Sequence, residues 1–190
     1  MKPGDEIVVS KAEHHSVLLP FQELAARTGA TLKWFDLDDE GRILANTADE
    51  VITERTKIVA VTHVGNTTGA ITDIAPMVKR AHEVGAVVVL DACQSVPHLK
   101  IDLHALDVDF AAWSAHKMYG PTGVGFLYGK RDMLEALPPA NSVDPWWNLP
   151  GWIRKPNTWL LLRVRGGHAA GRAGRCGRCR GRMADEYRHG

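Results

Sequence analysis

The sequence predicts an α/β fold, a mostly parallel sheet flanked by helices. Three observations carry that prediction. Apolar runs rich in β-branched residues alternate with amphipathic stretches from the N-terminus to about residue 139. One of those runs, Ala86-Val87-Val88-Val89-Leu90, is apolar at every position, as expected of a strand covered on both faces by helices. The chain of 190 residues, 45% hydrophobic and 24% charged, is also long enough to bury one sizeable core, or one domain and an appendage.

Taken in order, Glu6 to Ser10 reads as a short strand and Val17 to Thr28 as a helix stopped by Gly29. Thr31 to Asp36 is the second strand, and Asp39-Glu40-Gly41 a turn. A helix is expected over Thr47 to Glu54, with Thr47 as its N-cap and Glu50 at the capping-box spacing. Lys57 to Thr62 follows as a strand. Asp73 caps a helix over Ile74 to Glu83, whose Ile74, Met77, Val78 and Ala81 share one apolar face, and Gly85 closes it before the strand Ala86 to Leu90. Asp109 to Ser114 and Val124 to Tyr128 complete the strands.

No stretch approaches the ~18 to 20 apolar residues of a membrane span, and Met1-Lys2-Pro3-Gly4-Asp5-Glu6 has no apolar signal core, so no membrane partner and a cytoplasmic location are expected. Three cysteines make no disulfide framework. The net charge of +1 hides a split: residues 1–139 hold 13 Lys and Arg against 19 Asp and Glu, whereas residues 140–190 hold 10 against 3, nine of the ten being arginine. Four of the six tryptophans also fall in that last part, which places a boundary near Pro139-Ala140.

In open α/β sheets ligands gather at the carboxyl ends of the strands, so the polar residues just past those ends are the candidates. They are Glu13-His14-His15, His63 to Asn66, Asp91 to Gln94, and Ser114 to Lys117. Asp91 follows five apolar residues; it either braces the next turn or offers a carboxylate to a cationic ring nitrogen, such as the pyridinium of pyridoxal phosphate. Lys117 ends an apolar run, where a lysine is costly unless solvated, paired or covalently used. Ser114 and His116 suit phosphate contacts, and the Gly-rich turn Met118-Tyr119-Gly120-Pro121-Thr122-Gly123 lets backbone approach a ligand closely. His14, His15, His63, His98 and His116 show no i, i+4 pair, so no metal is expected.

Four motifs together carry a resemblance: Glu13-His14-His15-Ser16, Thr62-His63-Val64-Gly65-Asn66, Asp91-Ala92-Cys93-Gln94-Ser95-Val96-Pro97-His98, and Ser114-Ala115-His116-Lys117-Met118-Tyr119-Gly120-Pro121-Thr122-Gly123. In order and spacing they resemble the cofactor-binding core of the pyridoxal-phosphate cysteine desulfurases of the Suf type, within the class V aminotransferase family. The resemblance runs from about Gly4 to Pro139 and implies the central part of the large domain of a fold-type I enzyme. It implies that Lys117 forms the covalent link to pyridoxal 5'-phosphate, that His14 stacks on the ring and that Asp91 pairs with the ring nitrogen. Asn66 and Gln94 would contact the phenolic-oxygen side, while Ser114 and His116 would hold the phosphate. Cys93 falls where the family usually has a small residue against the ring, and the family's sulfur-accepting cysteine lies on a loop far downstream, so Cys93 is not expected to accept sulfur.

The function so implied is conversion of L-cysteine to L-alanine with persulfide transfer for iron-sulfur cluster assembly, by a homodimer that hands sulfur to an acceptor protein. Selenocysteine lyase or another class V enzyme, and a non-catalytic remnant, are the alternatives. The family's upstream phosphate-binding threonines, downstream small domain, nucleophilic cysteine and carboxylate-binding arginine have no counterpart in the sequence, so a fragment with little activity is expected. Residues 140–190, with runs such as Gly171-Arg172-Ala173-Gly174-Arg175-Cys176-Gly177-Arg178-Cys179, read as a frameshifted, unstructured tail. A zinc site at Cys176 and Cys179 with His168 and His189 lacks a second ligand pair of proper spacing. The clustered arginines have no fold motif to support nucleic-acid binding, and none is expected.

Overall fold

The computed structural model describes residues 1–137 and the backbone of residues 160–162. Seven strands form one sheet: β1 (Glu6–Ser10), β2 (Thr31–Phe35), β3 (Thr56–Thr62), β4 (Val87–Asp91), β5 (Phe110–Ser114), β6 (Gly125–Gly129) and β7 (Leu160–Leu162). Their order is β2-β1-β3-β4-β5-β6-β7. The first five strands are mutually parallel, while β6 runs antiparallel to β5 and β7 antiparallel to β6. The mostly parallel sheet read from the sequence is therefore the one observed. Among the described residues five α-helices accompany it: α1 (His15–Thr28), α2 (Ala48–Val51), α3 (Ala75–Glu83), α4 (Ser95–His98) and α5 (Arg131–Ala136).

The two faces of the sheet bury different partners. On one, α3 lays Met77, Val78 and Ala81 over Val59, Val61, Val88 and Leu90, with Ile52 and Ile74 filling the margin. On the other, α1 brings Leu18, Phe21, Leu24 and Ala25 onto Ile7, Val9 and Ala60. Each large apolar side chain so enclosed contributes about 1.5–3 kcal/mol by leaving water. That burial dictates the alternation along β3, where Val59 and Val61 face α3 while Ala60 faces α1.

The helix expected from Ile74 begins one residue later, with Ile74 rather than Asp73 at the N-cap; Asp73 stands just outside it, its Oδ1 accepting the Ala75 N–H at 3.0 Å in a turn that leads into α3. The helix expected over Thr47 to Glu54 shrinks to one turn. Thr47 does not cap it, because its Oγ1 donates to Leu44 O at 2.7 Å, and the fully buried Ile52 draws the chain out into extended geometry after Val51. Two short helices, α4 and α5, have no counterpart in the sequence reading.

The chain leaves β1 through α1 to β2 on one side, then places β3 on β1's other side and continues outward from there. The strand order thus reverses between β1 and β3, the kind of switch point at whose carboxyl ends open α/β sheets bind ligands. Of the tail expected to be unstructured, Leu160–Leu162 form β7 against Leu127, Phe126 and Gly125. Cys176, Cys179, His168, His189 and the arginine-rich run lie outside the described residues, as does the boundary at 139/140. Among the described residues no helix is long and apolar enough to cross a membrane.

Candidate functional site

Three adjacent parallel strands, β3, β4 and β5, end in polar segments at the same edge of the sheet, and most of the candidate residues stand there. Asp91 is the last residue of β4, in register with Thr62 of β3. Its Oδ1 accepts the Cys93 N–H at 2.9 Å, so it does brace the following turn, and its backbone carbonyl accepts from His63 N at 3.1 Å. Lys117 lies in a 3-10 turn, Ala115–Met118, that leaves the end of β5. Its Nζ donates to Asn66 Oδ1 at 3.3 Å. The same oxygen accepts from Gln94 Nε2, so residues 51 and 28 positions from Asn66 meet on one atom.

Asn66 reaches that point because residues 63–72 form a closed loop after β3. Thr72 N donates to His63 O at 3.0 Å, Gly65 N to Ala70 O at 2.9 Å, and Gly69 N to Gly65 O at 2.8 Å. Asn66 and Gln94 line a cleft of about 310 Å³ together with Val64, Gly65, Gly69, Ile71, His98 and Leu99. A second hollow of about 370 Å³ lies between residues 45–49 and α3 and includes none of the candidates. The turn that carries Lys117 is tightly closed. Gly120 N donates to Ala115 O at 2.9 Å, Tyr119 takes φ +61°, and a Cβ on Gly120 would stand 2.9 Å from both Ala115 Cβ and Ala115 O.

Ser114 closes β5 with its Oγ 3.8 Å from Cys93 Sγ, which links it to the Asp91 turn. Burial, followed by the charge of Asp91, pushes the Cys93 thiol up. His116 is exposed on the Lys117 turn. His14 is exposed at the start of α1, where its Nδ1 accepts the Ser16 N–H at 3.2 Å. Among the described residues neither the His14 nor the His116 ring hydrogen-bonds another of the expected site residues. No group of three or more His, Cys, Asp or Glu side chains among the described residues is placed to hold a metal.

One residue of the first motif to which the sequence reading gave no role proves to be deeply engaged. Glu13 turns inward, its Oε1 accepting from the Ser10 hydroxyl and from Thr62 N at 2.8 Å, while its Oε2 is buried without a partner among the described residues. Its carboxyl is raised from the ordinary 4.5 to about 7, first by burial and then by the negative charge of Asp91, against the pull of its hydrogen bonds. His63, next to Thr62, has its Nδ1 buried and unpartnered among the described residues, and burial lowers its basicity. Glu13 directly precedes His14 in the sequence, but its partner Thr62 is 49 residues away and visible only in the fold.

The donor set has a definite chemical character. It offers one amine, a carboxylate on a neighbouring strand, two side-chain amides, and a serine and a histidine for an anion. These are the groups that an aromatic carbonyl compound with a cationic ring nitrogen and a phosphate needs, and pyridoxal phosphate is such a compound.

The family model described as aminotransferase class-V matches residues 1–143. A probable cysteine desulfurase 2 of Mycobacterium leprae (strain TN) is 53% identical over 136 residues, which are 72% of this chain and 32% of that protein. Among solved structures, the cysteine desulfurase CsdA of Escherichia coli aligns with a TM-score of 0.71 at 43% identity, over 73% of this chain and 35% of that one. A lysine-to-alanine mutant of C-DES with glycine covalently linked to its PLP cofactor aligns at 0.64 and 28% identity, over 73% of this chain and 38% of that one. The chain spans about a quarter to a third of the length of the curated relatives it matches.

Proposed function

This chain belongs to the class-V aminotransferase family, and from that premise we propose that residues 1–137 hold pyridoxal phosphate in a cysteine desulfurase of the Suf type. The activity proposed for the whole protein is the conversion of L-cysteine to L-alanine, its sulfur leaving as a persulfide for iron-sulfur cluster assembly. A second copy of the chain, a sulfur-accepting protein and a cytoplasmic setting belong to the same proposal. The observation that carries it is the meeting of Lys117, Asn66 and Gln94 beside Asp91 at the ends of three adjacent strands.

When bound, pyridoxal phosphate supplies the electron sink that stabilises negative charge at an amino acid's α-carbon. The chain's own groups do the rest. Lys117 Nζ would hold the cofactor covalently and would move a proton at the substrate α-carbon. Asp91 would keep the ring nitrogen protonated, and Asn66 with Gln94 would orient the ring through its phenolic oxygen. His14 would cover one face of the ring against water. Ser114 Oγ and the His116 imidazole would hold the phosphate. Cys93, the cysteine among the described residues, suits no sulfur-accepting role, because a thiol pushed up by burial and by Asp91 has little thiolate at neutral pH.

The test is a titration of the purified 190-residue chain with pyridoxal phosphate, followed by its protein-linked visible absorbance, in the parent and in Lys117→Ala. The reading expects a saturable band that the variant lacks. A parent without a band, or a band unchanged in Lys117→Ala, defeats it.

A further inference from the structure

Glu13 is a carboxyl group that the proposed chemistry does not use, yet it sits where the sheet changes direction. Its Oε1 takes two donors from two strands, the Ser10 hydroxyl at the end of β1 and the Thr62 N–H at the end of β3. Thr62 is in register with Asp91, so the bond from Glu13 ends one strand away from the carboxylate assigned to the ring nitrogen. On its other side Glu13 is followed at once by His14, which caps α1. We propose that Glu13 is the positioning residue of this site, an acid group that fastens the ends of β1 and β3 together and so fixes where His14 stands relative to Asp91.

The state of that group follows from its surroundings. Oε2 is buried and has no donor among the described residues, and an ionised oxygen in such a place is costly. From β4 it is faced by the charge of Asp91, while from β1 and β3 it meets only the uncharged Ser10 hydroxyl and Thr62 amide. On its own segment, Lys11 is engaged with Asp36 and the His14 ring with Ser16. Among the described residues no cation contributes to holding it ionised, and its carboxyl is raised from 4.5 to about 7. A carboxyl raised to about 7 is close to half-protonated at neutral pH, so Glu13 gains or loses its proton in response to charge placed beside it. A cation docked on Asp91 would cancel part of the field at Glu13 and drive its proton off. This second consequence rests on the proposed cofactor reading; the first does not.

The experiment has two arms. In the first, denaturant unfolding of the cofactor-free chain is measured between about pH 5 and pH 8 for the parent and Glu13→Gln. A carboxyl that binds its proton more tightly when folded makes stability fall as pH rises, so the parent's unfolding constant should gain about 70-fold relative to the variant's across the window. Parallel profiles would overturn the proposal, since a merely structural clamp lowers stability without bending the pH dependence. Should Glu13→Gln not fold, the carbon-13 carboxyl signal of Glu13 in the parent decides instead: titration near pH 7 supports the proposal and near 4.5 overturns it. In the second arm, proton release on pyridoxal phosphate binding is measured in weak buffer near pH 7, and the parent should release more than Glu13→Gln. Equal release overturns the coupling to Asp91. A parent that binds no cofactor overturns that coupling together with the reading of the cofactor site, and leaves the result of the first arm standing.

Discussion

Replacing Gly120 by alanine puts the account under a direct mechanical load. The added methyl would stand 2.9 Å from Ala115 Cβ and Ala115 O and 3.2 Å from Ala115 C. Comfortable carbon contacts begin near about 3.5 Å, so the turn must open by roughly half an ångström. Overpacking of this kind costs about 1–3 kcal/mol. The turn that has to give is the one closed by the Gly120 N–H on Ala115 O, and it contains Lys117. If cofactor attachment requires Lys117 where it now stands, the strain is carried into binding, and the dissociation constant for pyridoxal phosphate rises by about 5- to 150-fold at 1.4 kcal/mol per decade. The assay is a spectrophotometric titration, with thermal unfolding of the cofactor-free protein alongside. Gly85→Ala is the control: Gly85 has φ +74° with open space around it, far from Lys117 in the sequence between α3 and β4. It should lose about 1 kcal/mol of stability from the left-handed backbone and no cofactor affinity. If Gly120→Ala binds as the parent does, or if both variants lose affinity alike, the argument from the turn is refuted.

Three further outcomes follow from the described contacts. Asp109, buried at the start of β5, accepts from Val88 N at 2.7 Å and pairs with Lys130 Nζ at 2.8 Å and His82 Nε2 at 3.1 Å; Asp109→Ala should cost about 3 kcal/mol in urea unfolding, and a loss below about 1 kcal/mol would contradict the clamp. Cys93 should be alkylated slowly at neutral pH and faster as pH rises past its raised thiol, and rapid modification at pH 7 would refute its assignment as an inert thiol. His63 holds its proton less well when folded than when unfolded, so its contribution to stability is present at higher pH and is lost as pH falls below about 6.5; His63→Gln should flatten that acid-side loss in a comparison of unfolding midpoints, and an unchanged profile would count against it.

What the sequence makes legible here is whatever depends on short-range pattern. β1 lies where its apolar run lies, Glu6–Ser10, and β4 follows the run ending at Leu90 with Asp91 at its tip, because a buried strand must be apolar and its end must meet water. Gly29 and Gly85 stop their helices through positive φ, a local requirement. The length of α2 is not local. Thr47 has the residue type of a cap, but Leu44 O competes for its hydroxyl and the core claims Ile52, neither of which a capping pattern records. The site divides in the same way. Lys117, Asp91, Asn66 and Gln94 announce themselves as polar residues after apolar runs, whereas the position of Glu13 depends on the pairing of β1 with β3. From sequence alone Glu13 looks like one more surface acid before a helix.

The most direct measurement is to load the chain with pyridoxal phosphate, reduce it with borohydride, and map the modified peptide by mass spectrometry. The account predicts a single stable adduct on Lys117, with the other lysines unmodified at equal cofactor and protein concentrations. An adduct on another lysine, or none at any cofactor concentration, would contradict it.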